Sequence, residues 1–217
     1  MEAKELIKKY EAGQRDFHDA ELQWVNLQNA DLKGANFNGA NFNGANLAGA
    51  DLKVARFRGA SARFVNMRNA DLKDADLQDA DLTGSDLQDA DFRSTNLKDA
   101  DIKYANLKRA KLQFANLQGT ILECAYLQDA NLTGADLQDA DLVNANFWNA
   151  NLAGTNCKDT YLQGANLEGA DLECANLECV DLRNTRLKNA RFEGANLEGA
   201  KLQWTNYQDT NLKNAKF

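Results

Sequence analysis

Ala135-Asp136-Leu137-Gln138-Asp139 is one copy of a five-residue unit that repeats without insertion or deletion over residues 17–217. The third residue of the unit, called here the central position, occurs 41 times, and 36 of these residues are Leu or Phe. The residue two positions earlier is Ala in 29 of the 41 units. Because the repeat specifies a core and contains no site chemistry, it predicts architecture far more directly than function.

A period of five residues excludes the common regular elements. In an α-helix each step of five rotates the chain by about 140°, so the central residues would not form one apolar stripe. A heptad fails for the same reason. In a straight strand Ala135 and Leu137 would share a face, but Leu142 would point the opposite way. The period therefore requires a chain that changes direction once in each unit.

A chain that turns a corner every five residues can point both Ala and the central residue inward. Four corners close a coil of about 20 residues, and successive coils stack as parallel strands about 4.8 Å apart. Parallel crossovers are overwhelmingly right-handed. The sequence therefore predicts an all-β solenoid, a right-handed quadrilateral parallel β-helix of about ten coils and roughly 50 Å in length.

The second residue after the central position carries the turn signal. Thirteen of the 14 glycines lie in this register, and seven Asn and nine Asp fill most of its other copies. These residues tolerate positive φ or bond to their own backbone. The chain contains no proline, as expected where the ladder needs every backbone donor.

The repeat over residues 15–217 resembles that of the pentapeptide-repeat proteins. The resemblance implies a right-handed quadrilateral β-helix, in agreement with the geometry above. Known members of the family include cytoplasmic and lumenal cyanobacterial proteins, among them regulators of cell differentiation. One subgroup binds bacterial DNA gyrase or topoisomerase IV as an acidic mimic of DNA.

Composition and targeting signals exclude several classes of protein. The net charge is −7, which disfavours direct binding of nucleic acid. Residues 1–5 lack a signal-peptide pattern, and no apolar run approaches the ~20 residues that span a bilayer. We therefore expect a cytoplasmic protein of bacterial type with no membrane partner.

Catalysis and cofactor binding are not expected. The only His, His18, lies in the first repeat with no nearby nucleophile, and general bases are most often His. The glycines are five residues apart and form no phosphate loop. No cysteine has another cysteine at the equivalent position of the next coil. We therefore expect buried or half-buried free thiols and neither disulfides nor a metal site.

The two ends of the chain differ. In residues 1–14, Leu6, Ile7 and Tyr10 recur at helical spacing before Gly13, a suitable C-cap. We expect a short α-helix that caps the exposed edge of a repeat domain spanning 15–217; a membrane-surface helix would need more apolar residues. No cap follows the last repeat. Either aromatic residues plug the last coil, or it forms an end-to-end homodimer, the arrangement that resemblance to the gyrase-binding members implies.

One unit departs from the core pattern. Ala62 is the only small aliphatic residue at a central position, between Phe42 and Leu82 in the stack. Interiors leave few voids, so either the neighbouring side chains repack or Phe64 turns inward. The same stacking places Phe17, Phe37 and Phe57 in one aromatic column.

Two groups of outward residues are candidate protein-binding surfaces. The first, the acidic ladder, stacks four carboxylates about 4.8 Å apart: Asp31, Asp51, Asp71 and Asp91. The second is a corner column in which four aromatic residues share the turn register: Trp24, Phe64, Tyr104 and Trp204. The structural alternatives are that the carboxylates accept backbone hydrogen bonds near the turns, and that the rings lie flat over neighbouring turns.

The leading functional hypothesis is a non-catalytic rigid scaffold that binds an unidentified protein, with regulation in a cyanobacterium among the roles that the resemblance implies. The alternative is an acidic DNA mimic that binds gyrase or topoisomerase IV and protects them from quinolones. The acidic balance favours the mimic. Two features disfavour the mimic: the repeat has no interrupting loops, and a basic run is present. This run consists of Lys103, Lys108, Arg109 and Lys111.

Overall fold

The computed structural model describes residues 1–217. In it, each repeat unit pairs with the unit 20 residues further along the chain. Its sheet consists of 37 isolated parallel bridges, and each joins two residues that are 20 apart, such as Asp136 and Asn156. The bridges fall into four series along the stack, beginning at Asp16, Glu21, Asn26 and Asp31. No strand is longer than one bridged residue. The predicted stacking of each unit on the fourth unit after it is confirmed.

Each unit bonds to the coil on either side and then turns. Leu137 N–H donates to Asn156 O of the following coil at 2.7 Å, and Asp136 N–H donates to Ala115 O of the preceding one at 3.0 Å. The turn closes through Ala140 N–H, which donates to Leu137 O at 3.0 Å. Every residue of the turn register has positive φ, which explains why Gly, Asn and Asp dominate this register.

The core consists of the two inward registers. Central residues and their Ala partners form one continuous buried cluster along the stack. The predicted aromatic column is present: the Phe17 and Phe37 ring centroids lie 5.6 Å apart, and those of Phe37 and Phe57 lie 5.2 Å apart. Threonines in the Ala register remain satisfied, since Thr95 Oγ1 donates to Leu72 O at 2.8 Å. Buried hydroxyl groups therefore add no unpaired polar atoms to the core.

The Asp or Asn of each unit supports the turn that follows it. Asn166 Oδ1, for example, accepts the N–H of Glu168 at 3.1 Å, an Asx turn in which the side chain replaces a backbone acceptor. Asn side chains also link neighbouring coils: Asn166 Nδ2 donates to Asn146 Oδ1 at 3.2 Å. This register is polar because the turns need it, whatever the protein binds.

A single helix, α1 (Ala3–Glu11), lies against the first coil. Its Leu6 side chain is fully buried, and Gly13 has a φ of +96° just beyond the end of the helix. Tyr10 Oη donates to Lys33 O at 2.8 Å, and Gln14 Nε2 donates to Asp16 O at 2.7 Å. The segment therefore covers the apolar end of the coil and also pairs carbonyls of its open edge. The helix is too short to span a membrane.

The space beside Ala62 is not filled by the nearest aromatic residue. Ala62 is buried, whereas the Phe64 side chain is exposed, so the alternative in which Phe64 turns inward is wrong. Phe64 has a φ of +53°, and the turn register directs its side chain away from the core. Neighbouring apolar residues pack around Ala62 instead: Phe42, Val65 and Met67 are all fully buried.

The cysteines are free, but they are not equally buried. Cys157 is fully buried at a central position, and burial raises the pKa of its thiol to about 12. Cys124 is half-buried, whereas Cys174 and Cys179 are exposed. The prediction of buried or half-buried thiols is therefore wrong for two of the four, because the turn register points its side chains into solvent.

The last coil leaves the apolar interior accessible. Its end forms a concavity of about 310 Å³ that eight apolar residues line. They are Leu182, Leu187, Phe192, Leu197, Leu202, Tyr207, Leu212 and Phe217. Trp204, Tyr207 and Phe217 are exposed and do not close the concavity, so the alternative in which aromatic residues plug the last coil is wrong.

Candidate functional site

The acidic ladder is held by the turns beside it. Asp51 Oδ1 accepts the N–H of Lys53 at 3.1 Å, and Asp91 Oδ1 accepts the N–H of Arg93 at 3.2 Å. Asp31 and Asp71 make the same bond to the second residue after them. All four carboxylates thus serve as turn acceptors, which is the structural alternative that the sequence left open.

A second ladder, of cations, runs beside the acidic one. It consists of the residues two positions further along: Lys33, Lys53, Lys73 and Arg93. Lys53 Nζ lies 2.8 Å from Asp51 Oδ2 and 3.4 Å from Asp71 Oδ2. Arg93 makes a two-pronged contact with Asp91, through Nε at 2.8 Å and Nη2 at 2.6 Å. Three of the four carboxylates, Asp51, Asp71 and Asp91, therefore contact cations of their own chain.

These contacts change the acidity of the ladder. Burial by itself would raise the pKa of Asp91, but hydrogen bonds from Arg93 outweigh it and hold the pKa below the ordinary value. Burial likewise opposes ionisation of Asp51, but hydrogen bonds from Lys53 outweigh it and lower the pKa. Asp91 is only 12% exposed at its side chain, so little of this charge is available to a partner.

The aromatic residues of the other candidate surface are exposed, and only Phe64 has a cation near its ring, with Arg63 Cζ 5.8 Å from the ring centroid. Trp24 is 78% exposed, Phe64 62% and Tyr104 55%. All three have φ between 53° and 58°, a region that costs a residue with a side chain about 1–2 kcal/mol. Glycine occupies this register elsewhere without that cost. The chain therefore places large rings where neither burial nor backbone preference favours them.

Glycines on the next coil lie beneath two of these rings, Trp24 and Phe64, whereas Cys124 holds the equivalent position after Tyr104. A Cβ added to Gly44 would lie 2.2 Å from Trp24 Cζ3, and one added to Gly84 would lie 2.6 Å from Phe64 Cε1. The rings thus lie flat on a bare backbone, as the structural alternative proposed, yet most of their surface stays in solvent. We call Trp24, Phe64 and Tyr104, with the two glycines between them, the aromatic strip.

Two other aromatic residues share the register but not the strip. Trp204 occupies the same column as Tyr104, but 100 residues later, which is five coil rises or about 24 Å. Phe114 lies on a different corner and covers Gly134, with a hypothetical Cβ 2.7 Å from its Cε1. The structure thus groups three of the four predicted aromatic residues and leaves Trp204 apart.

Polar groups surround the rings without using all their donors. A shallow depression of about 330 Å³ separates the first two rings, and Asn43, Gly44 and Arg63 line its floor. Asn43 Oδ1 accepts from Ser61 Oγ at 2.9 Å and from Arg63 N at 2.8 Å. Its Nδ2, like Trp24 Nε1, makes no intramolecular hydrogen bond, so both donors remain free for a ligand.

The cationic ladder was not predicted from the sequence. The sequence does contain the signal: the residue that follows the central position is a cation in four successive coils, 20 residues apart. These residues are Lys33, Lys53, Lys73 and Arg93. No group of three or more His, Cys, Asp or Glu is arranged to hold a metal ion.

Family models match most of the chain. A model of pentapeptide repeats matches residues 110–149, 140–178, 150–189 and 175–217, and one of a pentapeptide repeat region matches residues 33–107. No curated protein matches. These matches, like the folded geometry, indicate a repeat scaffold and no enzyme family.

Solved structures of repeat proteins are similar as well. HetL, a pentapeptide repeat protein involved in heterocyst differentiation regulation from the cyanobacterium Nostoc sp. strain PCC 7120, is 32% identical with a TM-score of 0.62, over 99% of this chain and 96% of HetL. A second Nostoc pentapeptide repeat protein, alr5209, is 40% identical over 53% of this chain and 80% of its own, with a TM-score of 0.25. QnrB1, a plasmid-mediated fluoroquinolone resistance protein, is 22% identical over 79% of this chain and 90% of its own, with a TM-score of 0.48.

Proposed function

Because this chain belongs to the pentapeptide-repeat family, we propose that it is a non-catalytic scaffold that binds a protein partner through the aromatic strip. Related structures are right-handed β-helices, and about ten coils of this kind make a rod roughly 50 Å long. HetL is described as a protein involved in heterocyst differentiation regulation, and a regulatory role in a cyanobacterium fits such a rod.

The exposed rings at positive φ carry the proposal. Trp24 and Phe64 occupy turn positions where glycine is favoured, and they lie on glycines that leave room for them. Backbone strain of this kind is retained where it serves a function. Large exposed aromatic side chains on one surface are typical of interfaces. The fold gains little from these rings, so a partner is the best account of their presence.

Affinity capture from native cells tests this proposal. The bait is the full chain, compared with a variant that carries Trp24→Gly, Phe64→Gly and Tyr104→Gly together. Glycine suits the positive φ of the turn register, so the variant keeps its backbone conformation. We expect partners captured by the wild type to be lost from this variant.

The matched control is Phe114→Gly, which removes an exposed ring from the same register on another corner. Phe114 has a φ of +59° and also lies over a glycine. The control should retain every partner of the wild type. Equal capture by the wild type, the triple variant and the control would exclude the strip as the binding surface.

A second candidate function is the acidic DNA mimic that binds gyrase or topoisomerase IV. The observation that favours it is a corner of carboxylates that form no salt bridge, in contrast to the acidic ladder. These carboxylates are Asp19, Asp79, Asp99, Asp139 and Asp159. With a net charge of −7, such an edge attracts a basic, DNA-binding surface.

A supercoiling assay with purified gyrase decides this candidate. The mimic hypothesis expects inhibition of supercoiling and protection from quinolones, both weakened when Asp79 and Asp99 are changed to Asn. Asn keeps the positive φ, so the fold is retained. Normal supercoiling and full quinolone sensitivity at saturating protein would exclude the mimic.

The end-to-end homodimer stays a prediction. The concavity in the last coil offers an apolar surface, and a second copy would cover it. Sedimentation equilibrium of the wild type and of Leu202→Glu measures this directly. A dimer that the substitution dissociates supports the prediction, and a monomeric wild type at high concentration contradicts it.

A further inference from the structure

We infer that the aromatic strip binds a segment in the polyproline II conformation, with a proline at every third residue. The inference rests on the proposed function, since it names the chemistry of the partner that the strip would take. It follows from the spacing of the rings along the stack, from the hydrogen-bond donors between them and from the charges at the two ends.

The spacing of the rings comes from the repeat itself. Trp24, Phe64 and Tyr104 are 40 residues apart, which is two coils and about 9.6 Å along the stack. A polyproline II helix advances about 3.1 Å per residue with three residues per turn, so equivalent side chains recur every ~9.3 Å. The mismatch is about 0.3 Å per ring and only about 0.6 Å over the strip.

Other extended or helical partners fit this spacing less well. Same-face residues of a β-strand recur every ~6.7 Å, so the second ring would fall between two side chains. An α-helix presents one face at i and i+7, about 10.5 Å apart, and would be out of step by almost 2 Å at the third ring. Three rings at this spacing therefore discriminate among the three backbone geometries.

The groups between the rings suit a polyproline II backbone. Such a helix has no internal hydrogen bonds, so its carbonyls need donors from outside. Trp24 Nε1 and Asn43 Nδ2 make no intramolecular hydrogen bond, and Tyr104 Oη likewise has no partner. The depression between Trp24 and Phe64 has room for a pyrrolidine ring against an aromatic face. Recognition of proline-rich segments by aromatic surfaces uses these elements.

Charge adds a preference at the ends of the strip. The cations beside the rings are engaged, because Arg63 Nε lies 3.7 Å from Asp81 and Lys103 Nζ lies 3.0 Å from Asp101. Two carboxylates near the ends of the strip in sequence form no salt bridge: Glu21, whose carboxylate accepts from Gln23 Nε2, and Glu123. A partner with a basic residue on each side of its proline repeat therefore complements the strip.

The test uses a synthetic peptide, Lys-Pro-x-x-Pro-x-x-Pro-Lys with Ala at x, and the intact protein labelled with ¹⁵N. The chain has three tryptophans, and their indole N–H signals are separate NMR probes. We expect the Trp24 signal to shift on titration, while those of Trp148 and Trp204 stay in place. A peptide of identical composition with its prolines adjacent should bind at least about tenfold more weakly, a loss of ~1.4 kcal/mol.

Variants test each ring. Phe64→Gly and Tyr104→Gly should each weaken the peptide by about tenfold, as for truncated aromatic anchors at interfaces. Phe114→Gly should leave the affinity unchanged. Replacing both lysines of the peptide by Glu should weaken binding at low salt and have less effect at high salt.

The outcomes separate this inference from the proposed function. Equal binding of the periodic and adjacent-proline peptides, or an equal loss in Phe114→Gly, overturns the inference. So does the absence of any Trp24 shift at millimolar peptide. If the periodic peptide fails but the triple glycine variant still loses its cellular partners, the strip remains a binding surface whose partner has another conformation. If the peptide binds but capture is unaffected by the triple variant, the proposed function is wrong.

Discussion

The acidic ladder and the aromatic strip are both columns of outward residues that the five-residue repeat brings into line. In the ladder, every carboxylate accepts a turn N–H, and Asp51, Asp71 and Asp91 also contact cations. In the strip, Trp24 and Phe64 occupy strained turn positions, and their rings have only glycine beneath them. The ladder's polar groups are used by the fold, whereas the strip's rings are still available for binding.

The difference between the ladder and the strip shows why the stacking of like side chains in a column does not by itself identify a binding site. Stacking by 20 aligns any residue that the repeat allows, and Asp belongs to the repeat because it supports the turn. A ring at positive φ does not belong to the repeat, because it costs stability there. Departure from the structural requirement is therefore the better guide to function.

We expect the largest loss of stability from a substitution in the acidic ladder. Asp91→Ala removes the acceptor of the Arg93 N–H and both prongs of the Arg93 contact. Because Asp91 is nearly buried, we expect the free energy of unfolding to fall by about 1–3 kcal/mol. Guanidinium denaturation measures it. Asp91→Asn keeps a turn acceptor and should lose less, and an unchanged Asp91→Ala would mean that the ladder does not stabilise the fold.

The second prediction is that low pH reduces the contribution of Asp91 to the stability of the fold. The pKa of Asp91 is lower in the folded protein than its ordinary value of 3.8, so its contribution is present above pH 3.8 and is lost as pH falls through the folded pKa. The stability gap between the wild type and Asp91→Asn should therefore narrow from pH 5 to pH 2.5. Thermal melts across this range test it, with Asp79→Asn, at an exposed site without an ion pair, as control. A gap that is constant with pH would contradict the assignment.

Substitution of a glycine beneath a ring should reduce the free energy of unfolding by less than Asp91→Ala does. In Gly84→Ala the new Cβ would lie 2.6 Å from Phe64 Cε1 at a φ of +67°, so we expect a loss of about 1–2 kcal/mol in the free energy of unfolding. The clash, but not the backbone cost, should disappear in the double variant Phe64→Gly/Gly84→Ala. Strict additivity of the two substitutions in a double-mutant cycle would show that ring and glycine are not in contact.

Removing a ring of the strip should matter least. Phe64→Gly removes the energetic cost of positive φ. It also increases the conformational entropy of the unfolded chain and removes the contact between Phe64 and Gly84. These effects oppose one another, so we expect a change of less than about 1 kcal/mol in the free energy of unfolding. Denaturation alongside Phe114→Gly measures it. A loss as large as that of truncating a buried core side chain would make the ring a part of the fold and remove the argument for a binding role.

Much of the architecture could be predicted because the repeat is one local rule applied many times. The stacking of every fourth unit, the inward registers and the Phe17–Phe37–Phe57 column all follow from counting. The candidate surfaces could be placed in columns, but their contacts could not be predicted. Whether Arg93 reaches Asp91, or Phe64 turns outward, depends on rotamers and on neighbours in the adjacent coil.

The sequence by itself determined which residues face inward and where the chain turns, because a strict period leaves each register a single environment. Only the tertiary structure decided which outward side chains are free. It did so by bringing cations to the carboxylates of the ladder and bare glycines to Trp24 and Phe64. The physical reason is that a register is fixed by local backbone geometry, whereas the availability of a side chain depends on what the next coil places beside it.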